Sequence, residues 1–232
     1  MLARPDPLER LLRLGVAFAF VGVAIQTVLH LTNNLVLDGD VESFDPDAEH
    51  NALAWASASA TFAAAYVALV RAVLVPQSRT RYLLIAAIFG FFSLDDAIEI
   101  HEQVSWNLAV ETLGLPSYVQ GRLFAVIYLP LLAGAGFLLW RIARESPARI
   151  RVHIQAGLGL LVLAVLVEPV TLIWQSQGVG AKSVPDTIEV GIEEGAELGG
   201  WILLATALTG LLYLALSASS PPPGTAPPRS SP

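Results

Sequence analysis

The chain places acidic side chains and histidines inside segments that are otherwise apolar. The clearest case is the run FFSLDDAIEIHEQVSW, in which Asp95, Glu99 and Glu102 recur at helical spacing. At about 100° per residue, these three carboxylates fall within roughly 60° of one another around a helix. Asp96 and His101 flank the same stripe. Carboxylates and imidazoles sharing a helix face can bind a divalent metal or exchange protons with a substrate.

A second acidic group opens the last apolar segment, DTIEVGIEEGAELGGW. Glu189, Glu193 and Glu197 are spaced i, i+4 and i+8, so they lie on one face of a helix. Four glycines in the same run thin that helix, which predicts close approach of a neighbouring backbone. This segment therefore combines carboxylates with tight helix packing.

Single candidates stand in other segments. Glu168 precedes Pro169 within an apolar run, His30 follows Gln26 by one helical turn, and His50 opens another run. The chain has no cysteine, so thiolate metal sites are excluded. Histidine with Asp and Glu suits zinc best, with iron or manganese as alternatives. We predict a divalent metal held by residues from the set His30, His50, Asp95, Asp96, Glu99, His101, Glu168 and Glu197.

Catalytic roles are predicted for three neighbours of these ligands. Water on the metal would be the nucleophile, and Glu102 or Glu193 would act as the general base. Ser93 precedes Asp95 by two residues and is expected to orient a ligand.

Composition identifies the environment of these residues. Of 232 residues, 54% are hydrophobic and only 14% are charged, and the mean hydropathy is +0.61. A soluble domain carries about 25% charged residues, so disordered chains, disulfide scaffolds and ordinary cytosolic enzymes are excluded. The net charge of −7 and the pI near 5.0 argue against a nucleic-acid partner.

Six apolar segments reach the length of about 20 residues that a bilayer requires. They lie at residues 12–35, 51–75, 82–106, 119–142, 152–175 and 187–216. The predicted fold is an all-α polytopic bundle of six transmembrane helices over residues 1–216, followed by a disordered Pro/Ser-rich cytoplasmic tail at 217–232. Nothing in the chain predicts its oligomeric state.

Charge sets the predicted orientation. With both termini in the cytoplasm, all but two of the 13 basic residues, Arg122 and Lys182, lie on the cytoplasmic side. Only three of the 20 acidic residues, Asp6, Glu9 and Glu145, share that side. We therefore predict a protein of the cell (inner) membrane whose site faces the periplasmic or extracellular side.

The predicted function is that of a metal-dependent membrane hydrolase acting on a lipid or another amphiphile. Acidic groups within a membrane are functional by default, because burying them is costly. A di-metal oxidoreductase is the neighbouring alternative, although the Glu-x-x-His motif of such bundles is absent. A metal-cation or proton-coupled transporter is a second alternative, weakened by the apolar inner halves of the segments. A non-catalytic sensor or assembly subunit is the third.

Overall fold

All regular structure in the part of the chain that is described is helical, which confirms the predicted all-α class. The computed structural model describes residues 6–45, 51–98, 100, 103–104, 107–114, 120–176 and 183–219. Side chains are described for these residues except 108–109, 120–127 and 168–176. Long helices within these ranges are α1 Pro7–Val36, α2 Ala52–Leu74, α3 Arg79–Ile98, α4 Gln120–Glu145, α5 Ala148–Ser176 and α6 Val184–Ser219.

These helices overlap the six predicted segments but differ from them at their ends. The third segment was predicted to run to residue 106: α3 is described as Arg79–Ile98, Ile100, Gln103 and Val104 are helical as well, and a π-helix covers Asn107–Thr112. The last helix continues to Ser219, so the first residues of the predicted tail are helical. The rest of that tail, residues 220–232, lies outside the described residues.

Four stretches of the described chain are long and apolar enough to cross a membrane: Pro7–Val36, Ala52–Leu74, Ala148–Val167 and Val184–Ala218. Large apolar side chains on these helices are exposed, and Phe20 is 75% exposed. Such a surface is unfavourable in water and favourable in hydrocarbon, so the chain has the character of a membrane protein.

Polar side chains begin the first two helices. Asp6 precedes Pro7, and its carboxylate accepts a hydrogen bond of 3.1 Å from the Leu8 amide. The Asn51 side chain accepts bonds of 2.8 and 3.1 Å from the first amides of α2. These caps satisfy backbone donors that a helix start leaves unpaired.

Helix α6 is the central element of the bundle. It packs against α1, α2 and α5, while α3 packs on α2, and α4 lies against α3 and α5. Gly157 of α5 and Gly200 of α6 allow one close crossing, because a Cβ at Gly157 would lie 2.9 Å from the Gly200 carbonyl oxygen. This crossing confirms the close approach predicted from the glycines of the last segment.

Basic residues gather at one end of the helices. Arg81 bonds to Glu145 at 2.5 Å, which joins the start of α3 to the end of α4. Arg149 lies 3.7 Å from Asp6, which joins the start of α5 to the N-terminal cap. The bond from Arg81 holds the pKa of the Glu145 carboxyl below its ordinary value. These contacts place the first, third and fifth helix starts at the same end.

Candidate functional site

His30 links α1 to the start of α6. Its ring is 2% exposed, and Nε2 lies 2.8 Å from the carbonyl oxygen of Thr187. A carbonyl only accepts, so Nε2 carries the proton, and Nδ1 accepts from the Asn34 amide at 3.2 Å. Nε2 therefore joins α1 to the start of α6, while the bond at Nδ1 orients the ring within α1.

The loop between α1 and α2 folds over this histidine. The Asn33 side chain accepts a 3.0 Å bond from the Val41 amide, and the Asn51 side chain donates a 2.7 Å bond to the Asp45 carbonyl. As a result, Asp45 Oδ1 lies 3.8 Å from His30 Nδ1. We call His30, Asn34, Asp45 and Thr187 the histidine cluster.

Of this cluster only His30 was predicted, and Asp45 is the acidic residue that sequence reasoning missed. It falls in a polar loop with five other acidic residues, so its position indicated nothing beyond exposure to water. It approaches His30 only because the loop closes on Asn33. Periodicity cannot detect such a contact, since the loop has no helical repeat.

Asp95, a predicted metal ligand, is buried inside the bundle. It is 4% exposed, and the Tyr128 hydroxyl of α4 hydrogen-bonds to its carboxylate. Two residues earlier, the Ser93 hydroxyl donates a 2.8 Å bond to the Ala58 carbonyl of α2. This bond fastens α3 to α2 beside Asp95, and the catalytic role of Ser93 stays a prediction.

Glu197, another predicted ligand, lies on α6 with two neutral donors directed at it. Trp201 Nε1 donates to Glu197 Oε1 at 3.0 Å, and the Ser57 hydroxyl of α2 donates to the same oxygen at 3.4 Å. Neither Trp201 nor Ser57 stood among the predicted site residues. The only sequence signal for the contact between Trp201 and Glu197 was their spacing of four residues, which places them one turn apart on the same helix face.

One aromatic cluster connects Asp95 with Glu197. The Phe92 ring stacks on Tyr128 with centroids 5.7 Å apart, and it also lies 6.3 Å from the Trp201 ring. Tyr128 and Trp201 hold Asp95 and Glu197 respectively. The structure thus brings two predicted ligands from α3 and α6 to the same group of rings. We call Asp95, Glu197, Tyr128, Trp201 and Ser57 the carboxylate cluster.

The two clusters occupy the same end of the bundle but different helices. His30 lies near the end of α1, Asp95 near the end of α3, and Glu197 in the first half of α6, away from the basic end. Helix α1 packs on α6, whereas α3 packs on α2 and α4. His30 and Asp95, which were predicted to share one metal, therefore lie on helices that do not pack directly against each other.

The remaining predicted residues divide into two sets. Asp96 and Glu193 are half-buried and each has an interaction partner. Among the residues that the structure describes, no three His, Asp or Glu side chains stand close enough to hold a metal together. Outside the described residues lie His50, Glu99, His101, Glu102 and the side chain of Glu168.

An apolar cavity of about 310 Å³ reaches the carboxylate cluster from the side. Residues of α3, α4, α5 and α6 line it, including Gly136 and Leu166, and Phe92 and Trp201 form part of its wall. These two rings also belong to the contacts around Asp95 and Glu197, so the cavity ends at the aromatic side of the carboxylate cluster.

Comparison with known proteins identifies one family. The family model described as "Domain of unknown function (DUF8692)" matches residues 11–211, which is most of the chain. No curated protein and no solved structure matches it.

Proposed function

Since the chain belongs to the DUF8692 family, we propose its function from its own geometry: a metal-dependent membrane enzyme that hydrolyses an amphiphile. The carboxylate cluster is its proposed centre. The observation that carries the proposal is the apolar cavity that meets the cluster at Trp201, with Phe92 beside it in the same wall.

All six helices span the membrane in this proposal, with both termini in the cytoplasm. The contacts Arg81–Glu145 and Arg149–Asp6 support this placement, because they collect charged side chains at one end, as the positive-inside rule requires of a cytoplasmic face. Asp95 follows Arg81 by 14 residues, so it stands about 21 Å deeper. The carboxylate cluster then lies in the outer half of the hydrocarbon, which is about 30 Å thick.

An amphiphile fits this arrangement better than a water-soluble substrate does. The cavity walls are apolar and open toward lipid, so a hydrocarbon tail enters with favourable burial. The polar end of the same molecule then reaches the carboxylates. Because water is scarce there, charged groups act more strongly on the reacting bond than they do at a wet surface.

The proposed metal is zinc, with iron or manganese as alternatives, at the end of α3. Asp95 and Glu197 are its described ligands in this proposal, completed from Glu99, His101 and Glu102, which lie outside the described residues. Such an ion supplies an activated water at neutral pH. Tyr128 and Trp201 support the proposal, because hydrogen bonds of this kind orient the carboxylates that bind metals.

Metal content is the first test. Protein purified in nanodiscs is expected to hold about one equivalent of zinc, iron or manganese, as catalytic sites of this kind do. Chelation is expected to abolish turnover of membrane lipids, followed by mass spectrometry, and added zinc to restore it. Metal-free protein with chelator-insensitive turnover would contradict the proposal. Cation flux into liposomes without lipid turnover would favour transport, and neither activity would favour a sensor.

Blocking the cavity is the second test. Gly136 lines the cavity, and a Cβ there has no atom within 4 Å, so the side chain of Gly136→Leu starts from an unobstructed position and occupies part of the cavity. Lipid turnover is expected to fall about tenfold or more, as for a lost binding contribution of roughly 1.4 kcal/mol. Gly134→Leu is the matched control, since Gly134 also has open space but does not line the cavity. Equal turnover in both variants would rule out entry by this route.

A further inference from the structure

A second apolar space, separate from the cavity at the carboxylate cluster, runs along the opposite side of α6. This groove lies between α1 and α5, and its volume is about 700 Å³. Its floor includes Gly191, Gly195 and Gly199, where α6 carries no side chain and α1 packs closely, since a Cβ at Gly195 would lie 3.2 Å from Val23. The groove extends from Thr187 to Leu203, which is about 24 Å along the helix.

The width of the groove indicates which kind of molecule it can hold. Dividing its volume of about 700 Å³ by its length gives a mean cross-section of roughly 30 Å², or a width of about 6 Å. An α-helix is about 10–12 Å wide with its side chains, so a helix of a second protein does not fit inside. Carbon atoms in contact lie about 4 Å apart, so a single hydrocarbon chain does fit.

The rim of the groove faces hydrocarbon rather than water. Phe20 of α1 and Val152 of α5 are 75% and 60% exposed, and Ile188 and Ile192 of α6 are exposed between them. In the proposed membrane placement these side chains contact lipid directly. A lipid tail can therefore move from the bilayer into the groove without crossing a polar barrier.

The Thr187 side chain provides a polar group at the outer end of the groove. Thr187 lines the groove and is 1% exposed, and its hydroxyl has no hydrogen-bond partner among the residues that the structure describes. Burying a hydroxyl without a partner is costly, so a polar group placed beside Thr187 would be stabilised by a hydrogen bond. Its backbone carbonyl accepts from His30, so the histidine cluster borders the same end.

We propose that this groove binds the hydrocarbon chain of a membrane lipid, with the polar headgroup at Thr187. A length of about 24 Å covers most of the hydrocarbon thickness of about 30 Å, so the occupant is one long chain. The inference rests on the membrane placement in the proposed function and is independent of the metal chemistry.

Photocrosslinking tests the groove in the full chain. The protein is reconstituted with phosphatidylethanolamine whose acyl chain carries a diazirine, illuminated, digested and mapped by mass spectrometry. Crosslinks are expected to concentrate on the groove faces of α1, α5 and α6. Ala156 lines the groove and is exposed, so Ala156→Phe is expected to fill it and lower the yield about tenfold.

Matched variants make the outcome decisive. Ala63 is also exposed but lies on α2, away from the groove, so Ala63→Phe is expected to leave the yield unchanged. Thr187→Val keeps the side-chain shape and is expected to lower the crosslinking yield about fivefold, the effect of losing one hydrogen bond to the headgroup. Unchanged thermal unfolding of Ala156→Phe would show that the fold persists.

Three results would overturn the inference. Crosslinks spread evenly over all exposed apolar faces would show only general lipid contact. Equal yields for Ala156→Phe and Ala63→Phe would show that the groove is not the binding place. A dimer converted to monomer by Ala156→Phe, with unchanged crosslinking, would identify a contact between copies. If the crosslinks are found in the groove but no metal-dependent turnover is detected, the enzyme proposal is refuted and the lipid-binding inference stands.

Discussion

Asp95→Asn is expected to lower lipid turnover by at least about 100-fold and to reduce the bound metal, while the fold persists. Asparagine keeps the size of the side chain, and its amide oxygen still accepts the hydrogen bond from Tyr128. What disappears is the negative charge that a metal ligand supplies. Partners that only orient a ligand are worth about 10–100-fold, so the ligand itself is worth at least the upper end of that range.

Tyr128→Phe separates positioning from ligation. Without its hydroxyl, Asp95 loses the bond that orients it, and metal affinity is expected to fall about 10–100-fold. Excess zinc is then expected to rescue Tyr128→Phe but not Asp95→Asn. Glu145→Gln is the control, because this residue pairs with Arg81 at the opposite end of the bundle. Wild-type turnover and metal content in Asp95→Asn would refute the proposed centre.

Gly157→Ala is expected to have the largest effect on stability. The new Cβ would lie 2.9 Å from the Gly200 carbonyl oxygen and equally close to the Leu204 side chain. Backbone atoms cannot give way as a flexible side chain can, so α5 and α6 must separate. Overpacking of this kind costs about 1–3 kcal/mol, and the thermal unfolding temperature in detergent should fall.

Gly159→Ala provides the matched comparison on the same helix. A Cβ at Gly159 meets no atom within 4 Å, so the change adds only helix propensity, worth up to about 1 kcal/mol. The unfolding temperature of Gly159→Ala should therefore equal or exceed that of the wild type. Similar temperatures for both variants would mean that the α5–α6 crossing is looser than the structure shows.

The helices and the glycine-mediated packing were predictable because both depend on short-range patterns in the sequence. Apolar runs long enough to span a bilayer indicate helices, because a backbone in hydrocarbon must satisfy its own hydrogen bonds. The third segment, predicted at residues 82–106, is helical at Ile98, Ile100, Gln103 and Val104. Periodicity describes which face a residue occupies and does not fix where a helix ends, so α6 continues to Ser219 beyond its predicted end at residue 216.

The sequence predicted which residue types form the candidate site, but it predicted less well which of those side chains contact one another. Asp95 and Glu197 were identified because carboxylates are rare and costly in apolar helices. Their partners Tyr128 and Ser57 have ordinary roles in membrane helices and were not marked by the sequence, and Trp201 was marked only by its i+4 spacing from Glu197. Only the packing of α2, α3, α4 and α6 shows that these side chains meet.

By itself, the sequence determined that the chain is helical and apolar, with charge divided between two ends, because these properties depend on composition and short-range spacing. The tertiary structure decided which helices are neighbours. It placed α6 at the centre, joined His30 to Asp45 and Thr187, and brought Asp95 and Glu197 to one aromatic cluster. The reason is physical: contacts between distant helices depend on the complementary shapes of whole helix surfaces, and no local repeat encodes those shapes.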